Sequence, residues 1–168
     1  MSKRDTPGVI APPPLIYLAF LLLGWGLAYL GARPEAVVSG LDWLSAGFGL
    51  ELAVRRGVAL TLIAGGLLLE GTATGLFRRS GTAVQPWKPS TALIIEGPYR
   101  FSRNPIYLGF AVTYAGLAIA MDSWIALLLL VPCLFVVDRF VIQREERYLV
   151  NKFGPAYEAY RQKVRRWL

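Results

Sequence analysis

Residues 15 to 32 read LIYLAFLLLGWGLAYLGA and carry no charge. A run of that kind is close to the ~20 apolar residues that cross the ~30 Å hydrocarbon core of a bilayer as a helix. Lys3 and Arg4 precede it and Arg33-Pro34 close it. Those flanks suit a membrane anchor, and a basic start with a small-residue end also suits a cleaved signal peptide. Further apolar runs at 58–77, 105–121 and 124–142 favour the anchor. A hydrophobic fraction of 55% and a mean hydropathy of +0.45 then read as bilayer burial rather than a soluble core. The expectation is one all-α integral membrane domain over 1–168 with about four transmembrane helices.

Local signals fill in that outline. In VALTLIAGGLLLEGTATGLF, residues 58–77, Gly71 and Gly75 form a GxxxG pair suited to close helix packing. Glu70 in the same run is costly at membrane depth, which makes it a functional candidate unless a polar cavity or a neighbouring Thr or Tyr receives it. Asp122-Ser123 alone separates the last two runs, which forces an antiparallel hairpin whose second helix one of them caps. Pro132 is expected to kink that second helix. Leu41, Leu44, Phe48 and Leu52 share a helical face, so residues 41–52 read as an interfacial or dipping helix.

Charge orients the bundle. Residues 33–57 are balanced, whereas 78–104 carry Arg78, Arg79, Lys88, Arg100 and Arg103 against Glu96, and the tail from Arg139 is rich in Lys and Arg. Positive charge stays inside, so both termini and the 78–104 loop are expected in the cytoplasm, with a cytoplasmic helical extension over 143–168. An inner cell membrane fits this arrangement. The net charge of +7 points to anionic lipid headgroups rather than nucleic acid.

The chain has no histidine and one cysteine, Cys133, inside an apolar run. A histidine base, a Ser-His-Asp triad and histidine-ligated metal are excluded, as is an internal disulfide. Cys133 reads as packing. No metal site is expected, and any chemistry falls to Asp, Glu, Tyr, Arg and Asn.

Two segments gather those residue types. GPYRFSRNPIYLGF, residues 97–110, places Arg100, Arg103, Asn104, Tyr99 and Tyr107 at the mouth of an apolar run. Asn104 followed by Pro105 is a complete N-cap signal, and the arginines and tyrosines suit interfacial anchors. The same residues can equally wall a site. Beyond the last run, Glu145 and Glu146 are adjacent, so on a helix they diverge by about 100° and one can face a ligand while the other takes a structural partner. Arg139, two turns before Glu146, is the partner expected for it. Gly154-Pro155 should end one helix and start another. Phe153, Tyr157, Tyr160, Val164 and Trp167 then recur at helical spacing, as in an amphipathic helix lying on the membrane.

In this order, on either side of one hairpin, the two segments resemble the isoprenylcysteine carboxyl methyltransferase family and its relatives, the small phospholipid N-methyltransferases. The resemblance covers residues 75–168. It implies a membrane-embedded methyltransferase that uses S-adenosylmethionine and acts on a lipophilic acceptor among membrane lipids, with its cofactor pocket on the cytoplasmic side. The family's Arg-His-Pro-x-Tyr motif corresponds to Arg103, Asn104, Pro105 and Tyr107, and its paired glutamates to Glu145 and Glu146. Its Phe-Gly-x-x-Tyr-x-x-Tyr stretch falls on Phe153, Gly154, Tyr157 and Tyr160. Arg103, Asn104, Tyr107, Glu145, Glu146 and Tyr157 are thereby implied as cofactor-binding, with Glu146, or Glu145 if the helix phase differs by one, on the amino end. Glu70 and Arg161 are the candidates on the acceptor side, and no catalytic residue is assigned. The departure is Asn104, which can hydrogen-bond but cannot titrate near neutral pH. That departure keeps a non-catalytic membrane scaffold as the rival. A related sterol reductase using a nicotinamide cofactor is a further alternative.

Overall fold

The computed structural model describes residues 6–9, 11–33 and 40–168, which are helical with no strand. Lys3, Arg4, Pro34 and Glu35 lie outside the described residues. Five helices carry the fold: α1 (Pro13–Gly31), α2 (Leu52–Arg79), α3 (Pro105–Ala120), α4 (Trp124–Phe153) and α5 (Pro155–Lys163). The helices α1, α2 and α4 are long and apolar enough to cross a membrane. The helix α3 is apolar throughout, but its 16 residues span ~24 Å, short of a full hydrocarbon core. Their outer faces agree: Leu22, Leu60, Leu68, Val131 and Phe135 are each more than half exposed, a surface that water does not tolerate in bulk.

The chain divides into two compact units. In the unit formed by residues 14–67 and 110–135, small residues let helices approach closely. A Cβ on Gly24 would lie 2.6 Å from the Ala126 Cα, and one on Gly116 would lie 2.9 Å from the Ala59 carbonyl oxygen. Tyr17, Tyr114, Ala118 and Cys133 are buried here, and the Tyr114 hydroxyl donates to the Ala126 carbonyl at 2.8 Å. Cys133 is a packing residue, as its surroundings in the sequence suggested. The GxxxG pair is not used this way: a Cβ on Gly71 or Gly75 would meet nothing within 4 Å. Their small size reflects local sequence, and the close contacts fall where a partner helix happens to arrive.

The Asp122-Ser123 link divides its labour. Ser123 caps α4, its Oγ accepting from the Ala126 N–H at 3.2 Å. Asp122 sits at φ 56°, ion-pairs with Arg55, and accepts from the Phe48 N–H at 2.9 Å. That pull explains why 41–52 is not the continuous helix its apolar spacing suggested. Only Asp42–Ser45 is helical there, as a 3₁₀ turn, and the chain then runs irregularly to α2, which starts six residues before the apolar run at 58.

The other unit joins the described part of 1–13 with 68–109 and 136–168. Here α4 runs past the expected end of the apolar run at residue 142 to Phe153, and the stretch Gln143–Phe153 carries Arg144, Glu145, Glu146, Arg147 and Lys152. The helix is interrupted at Leu129, three residues before Pro132, where a disturbance was expected, and widens to a π-helical turn over Asp138–Ile142, which was not. Gly154, at φ 50°, ends α4, and Pro155 opens α5. The expected amphipathic helix on the lipid surface is corrected. Tyr157 and Tyr160 are 2% and 9% exposed, buried within the protein, and the helix stops at Lys163, with Val164 already extended.

Candidate functional site

Gly97, at φ 56°, and Pro98 start a 3₁₀ turn over Gly97–Arg100 that reverses the chain before α3. The turn buries Tyr99, whose ring packs 5.7 Å from that of Phe77, and leaves Arg100 exposed as an ordinary surface cation. Ser102 follows, almost fully buried, and its hydroxyl accepts from the Asn104 N–H at 3.1 Å. Pro105 then begins α3, so Arg103, Asn104 and Tyr107 all project from one short corner.

The tail folds back onto that corner. After α5, the carbonyl of Arg165 accepts from the Arg103 N–H at 3.0 Å. The Arg166 carbonyl accepts from the Asn104 side-chain amide at 3.0 Å and from the Ser102 hydroxyl at 3.3 Å. Tyr160 secures the other side, its hydroxyl donating to the Tyr99 carbonyl at 2.7 Å. The Asn104 side chain thus holds the returning strap by its amide, a role its sequence context as a helix cap did not suggest.

The two glutamates separate as their helical spacing requires. Glu146 lies between two guanidinium groups: Arg103 Nη2 and Arg166 Nη2 each donate to it at 2.7 Å, and Arg103 Nε and Arg166 Nε each donate to its Oε1 at 3.1 Å. Arg166 Nη1 also reaches Asp138 at 3.2 Å. Burial works to raise the Glu146 carboxyl, but the hydrogen bonds from Arg166 and Arg103 hold it below the usual carboxylate range. The same bonds raise Arg166. Arg139, the partner expected for Glu146, instead bonds the Gln143 side chain at 2.7 Å, since the π turn rotates it away. Arg103 spends its last nitrogen on two carbonyls, with Nη1 at 3.0 Å from that of Arg161 and 2.8 Å from that of Val164. It is thus a scaffold for the corner.

Glu145 takes a different partner. It accepts the Tyr107 hydroxyl at 2.5 Å. Burial pushes its carboxyl up to about 7, with the Tyr107 bond opposing and the Glu146 charge adding to the rise. Arg103, Arg166, Glu146 and Asp138 balance in charge, so the Glu145 carboxyl is the titratable group left to the space before it. That space is a cavity of about 100 Å³. Its polar wall is Arg103, Asn104, Tyr107, Glu145, Glu146 and Tyr157, so the structure brings together the six residues singled out for a cofactor. Tyr99, Tyr148 and Tyr160 add aromatic surface, and the apolar roof comes from Ala83, Val84, Leu93 and Ile94 of the preceding loop. Burial raises the Tyr157 hydroxyl to about 12 and raises those of Tyr99 and Tyr160 further, so all three stay neutral donors. The loop is tied down where its Ser90 N–H donates to the Tyr148 hydroxyl at 3.0 Å.

Glu70 and Arg161 are not among the residues that line this cavity. Glu70 sits half-buried on α2, and Arg161 lines a separate depression. The residues that spacing could not reveal are Arg166, Asp138 and Tyr148. In the sequence Arg166 is one of many basic residues of the tail, because the chain reversal that brings it to Glu146 leaves no periodic trace. No cluster of metal-ligating side chains occurs among the described residues.

Residues 54–156 match the family model described as phospholipid methyltransferase. Over 72 residues, 43% of this chain, the sequence is 36% identical to a protein-S-isoprenylcysteine O-methyltransferase of Schizosaccharomyces pombe, and it spans 30% of that relative's length. Over 63 residues, 38% of this chain, it is 38% identical to an uncharacterized protein of Haemophilus influenzae, which it covers over 100% of its length.

Proposed function

Because this chain belongs to the phospholipid methyltransferase family, we propose that it is an S-adenosylmethionine-dependent methyltransferase acting on a lipophilic acceptor held in the membrane. In this reading residues 1–168 form one membrane domain of four spans, α3 being the short one. Both termini, the cavity and the tail face the cytoplasm, in an inner membrane. The observation that carries the proposal is the Glu145–Tyr107 pair, an uncompensated carboxyl at the wall of a tyrosine-lined cavity.

The donor set fits the cofactor. A carboxylate suits its ammonium group, the Asn104 amide a polar edge, and tyrosine faces the adenine and the sulfonium charge. When bound, S-adenosylmethionine supplies a methyl group already activated by the sulfonium. Glu145 would hold the amino end, and Tyr107 fixes the Glu145 carboxyl by its 2.5 Å bond. Tyr157 and Asn104 would line the nucleoside side. Arg103 and Glu146 neutralise each other and keep that wall rigid, so their part is positioning. The apolar roof of the loop excludes water, which the displacement at carbon requires. A volume of about 100 Å³ is below the ~300 Å³ of ordinary ligand sites, so admission of a nucleoside requires this loop to move outward.

The test is calorimetric binding of S-adenosylhomocysteine to the full chain in detergent and in lipid, beside Glu145→Gln. Saturable binding that is lost in the variant is the expected result. No binding by the wild-type chain in either medium would leave a scaffold that keeps the family fold.

A further inference from the structure

The outer face of α4 carries a second concavity. It opens at the end of the apolar part of the helix, where Phe140, Val141 and Ile142 give way to Gln143 and Arg144, and its volume is about 680 Å³. Arg139, Arg144, Arg147, Arg161 and Arg166 line it together with Glu146. The carboxylate does not offset this charge, because Glu146 is already matched by Arg103 and Arg166 at 2.7 Å each. Among the described residues, none of Arg139, Arg144, Arg147 and Arg161 is ion-paired with a carboxylate.

Three of these arginines are held in place by neutral groups. Arg139 Nη1 donates to the Gln143 side chain at 2.7 Å, Arg147 Nε to the Gln143 carbonyl at 3.1 Å, and Arg144 Nη1 to the Gly8 carbonyl at 2.7 Å. These bonds orient the guanidinium groups without consuming their charge. Through these bonds Arg139, Gln143 and Arg147 come together on one face of the depression. Guanidinium forks on such a face match the oxygens of a phosphate in pairs. The level matters as well: a concavity that begins where a spanning helix loses its apolar character lies where lipid phosphates lie.

We propose that this arginine-lined depression is a binding site for a phosphate group, carried by a membrane lipid headgroup. The site is separate from the tyrosine cavity and stands whether or not the chain transfers methyl groups. A soluble phosphate compound presents the same chemistry, so the test separates the two sources.

The experiment titrates the full chain in detergent by calorimetry with dihexanoyl phosphatidylglycerol, dihexanoylglycerol and inorganic phosphate, each lipid below its micellar concentration. The wild-type chain is expected to bind the phospholipid saturably and the diacylglycerol not at all. Arg139→Gln with Arg147→Gln should weaken phospholipid binding by roughly tenfold or more, while Arg78→Gln with Arg79→Gln, which removes the same charge elsewhere, should leave it unchanged. Arg147→Lys keeps the charge and loses the fork, so it provides an intermediate variant should the double change unfold the protein. Phosphatidylglycerol binding tighter than inorganic phosphate assigns the lipid headgroup; equal binding overturns the lipid source in favour of a soluble phosphate. Equal losses in the two double variants, or diacylglycerol binding as well as phospholipid, would overturn the site altogether.

Discussion

The Tyr107 hydroxyl meets the Glu145 carboxylate at 2.5 Å, and that bond works against the burial that raises this carboxyl to about 7. Removing the phenol removes the opposing effect. In Tyr107→Phe the Glu145 midpoint should therefore move upward, as read by infrared difference titration of the carboxyl band. A midpoint that stays put or falls would mean that the pair is not what holds the carboxyl ionisable.

The two glutamates should separate under the same substitution. Glu145→Gln is expected not to lower the melting temperature while S-adenosylhomocysteine affinity falls by roughly tenfold or more, the size of a lost charged hydrogen bond. Glu146→Gln strands Arg103 and Arg166 together, and breaking a buried pair costs about 3 kcal/mol. That variant should melt earlier by scanning fluorimetry. The reverse assignment, with binding lost only on changing Glu146, would exchange their roles.

Stability should also fall with rising pH through a defined window. The folded Glu145 carboxyl sits at about 7 against an ordinary value of 4.5. Between those values the folded chain binds more protons than the unfolded one, so each step up in pH disfavours folding. Glu146 does not oppose this there, because its depressed value places its own change below 4.5. Melting temperature should drop between pH 4.5 and 7 in wild type and drop less in Glu145→Gln.

Loop opening has its own reporter. Tyr148→Phe leaves the Ser90 N–H without the acceptor it has at 3.0 Å. Limited proteolysis within residues 83–95 should speed up several-fold while cleavage elsewhere is unchanged. An unaltered rate would show that the loop is held by its apolar contacts to the cavity instead.

Close packing at Gly116 gives a prediction outside the site. An added Cβ would lie 2.8 to 3.0 Å from the Ile63 side chain and the backbone of Ala59 and Ile63. Gly116→Ala should destabilise the chain by about 1–3 kcal/mol, whereas Gly71→Ala, with nothing within 4 Å, should not. Thermal melts of the two variants in one detergent make the comparison.

What was legible in the sequence is what depends on neighbours along the chain. The span of α1, the Ser123 cap, and the helix change at Gly154-Pro155 all follow from local composition and turn chemistry. The 100° between neighbours told that the two glutamates take different partners but not which takes which: Glu146, the first choice for a ligand, is held by Arg103 and Arg166. What could not be read needed a partner from elsewhere. Asp122 draws Phe48 and Arg55 to itself and so replaces the helix expected at 41–52. Tyr157 and Tyr160 looked like a lipid-facing stripe because burial against protein and burial against lipid select the same residues. Arg166 gained its place only through the fold of the tail, and no spacing rule connects it to Arg103.

The π turn at Asp138–Ile142 has a consequence for how this helix tolerates change. A π turn holds about one residue more than an α turn, so every side chain after it is rotated by roughly 100° from where an unbroken α-helix would put it. Glu145 owes its aim into the cavity, and Glu146 its place between two arginines, to the wider turn that absorbs that extra residue. Substitutions inside the turn leave the count intact. Deleting a single residue there would instead remove the surplus and leave both glutamates aimed as they are, whereas straightening the turn with all its residues kept would swing both of them away by roughly 100°.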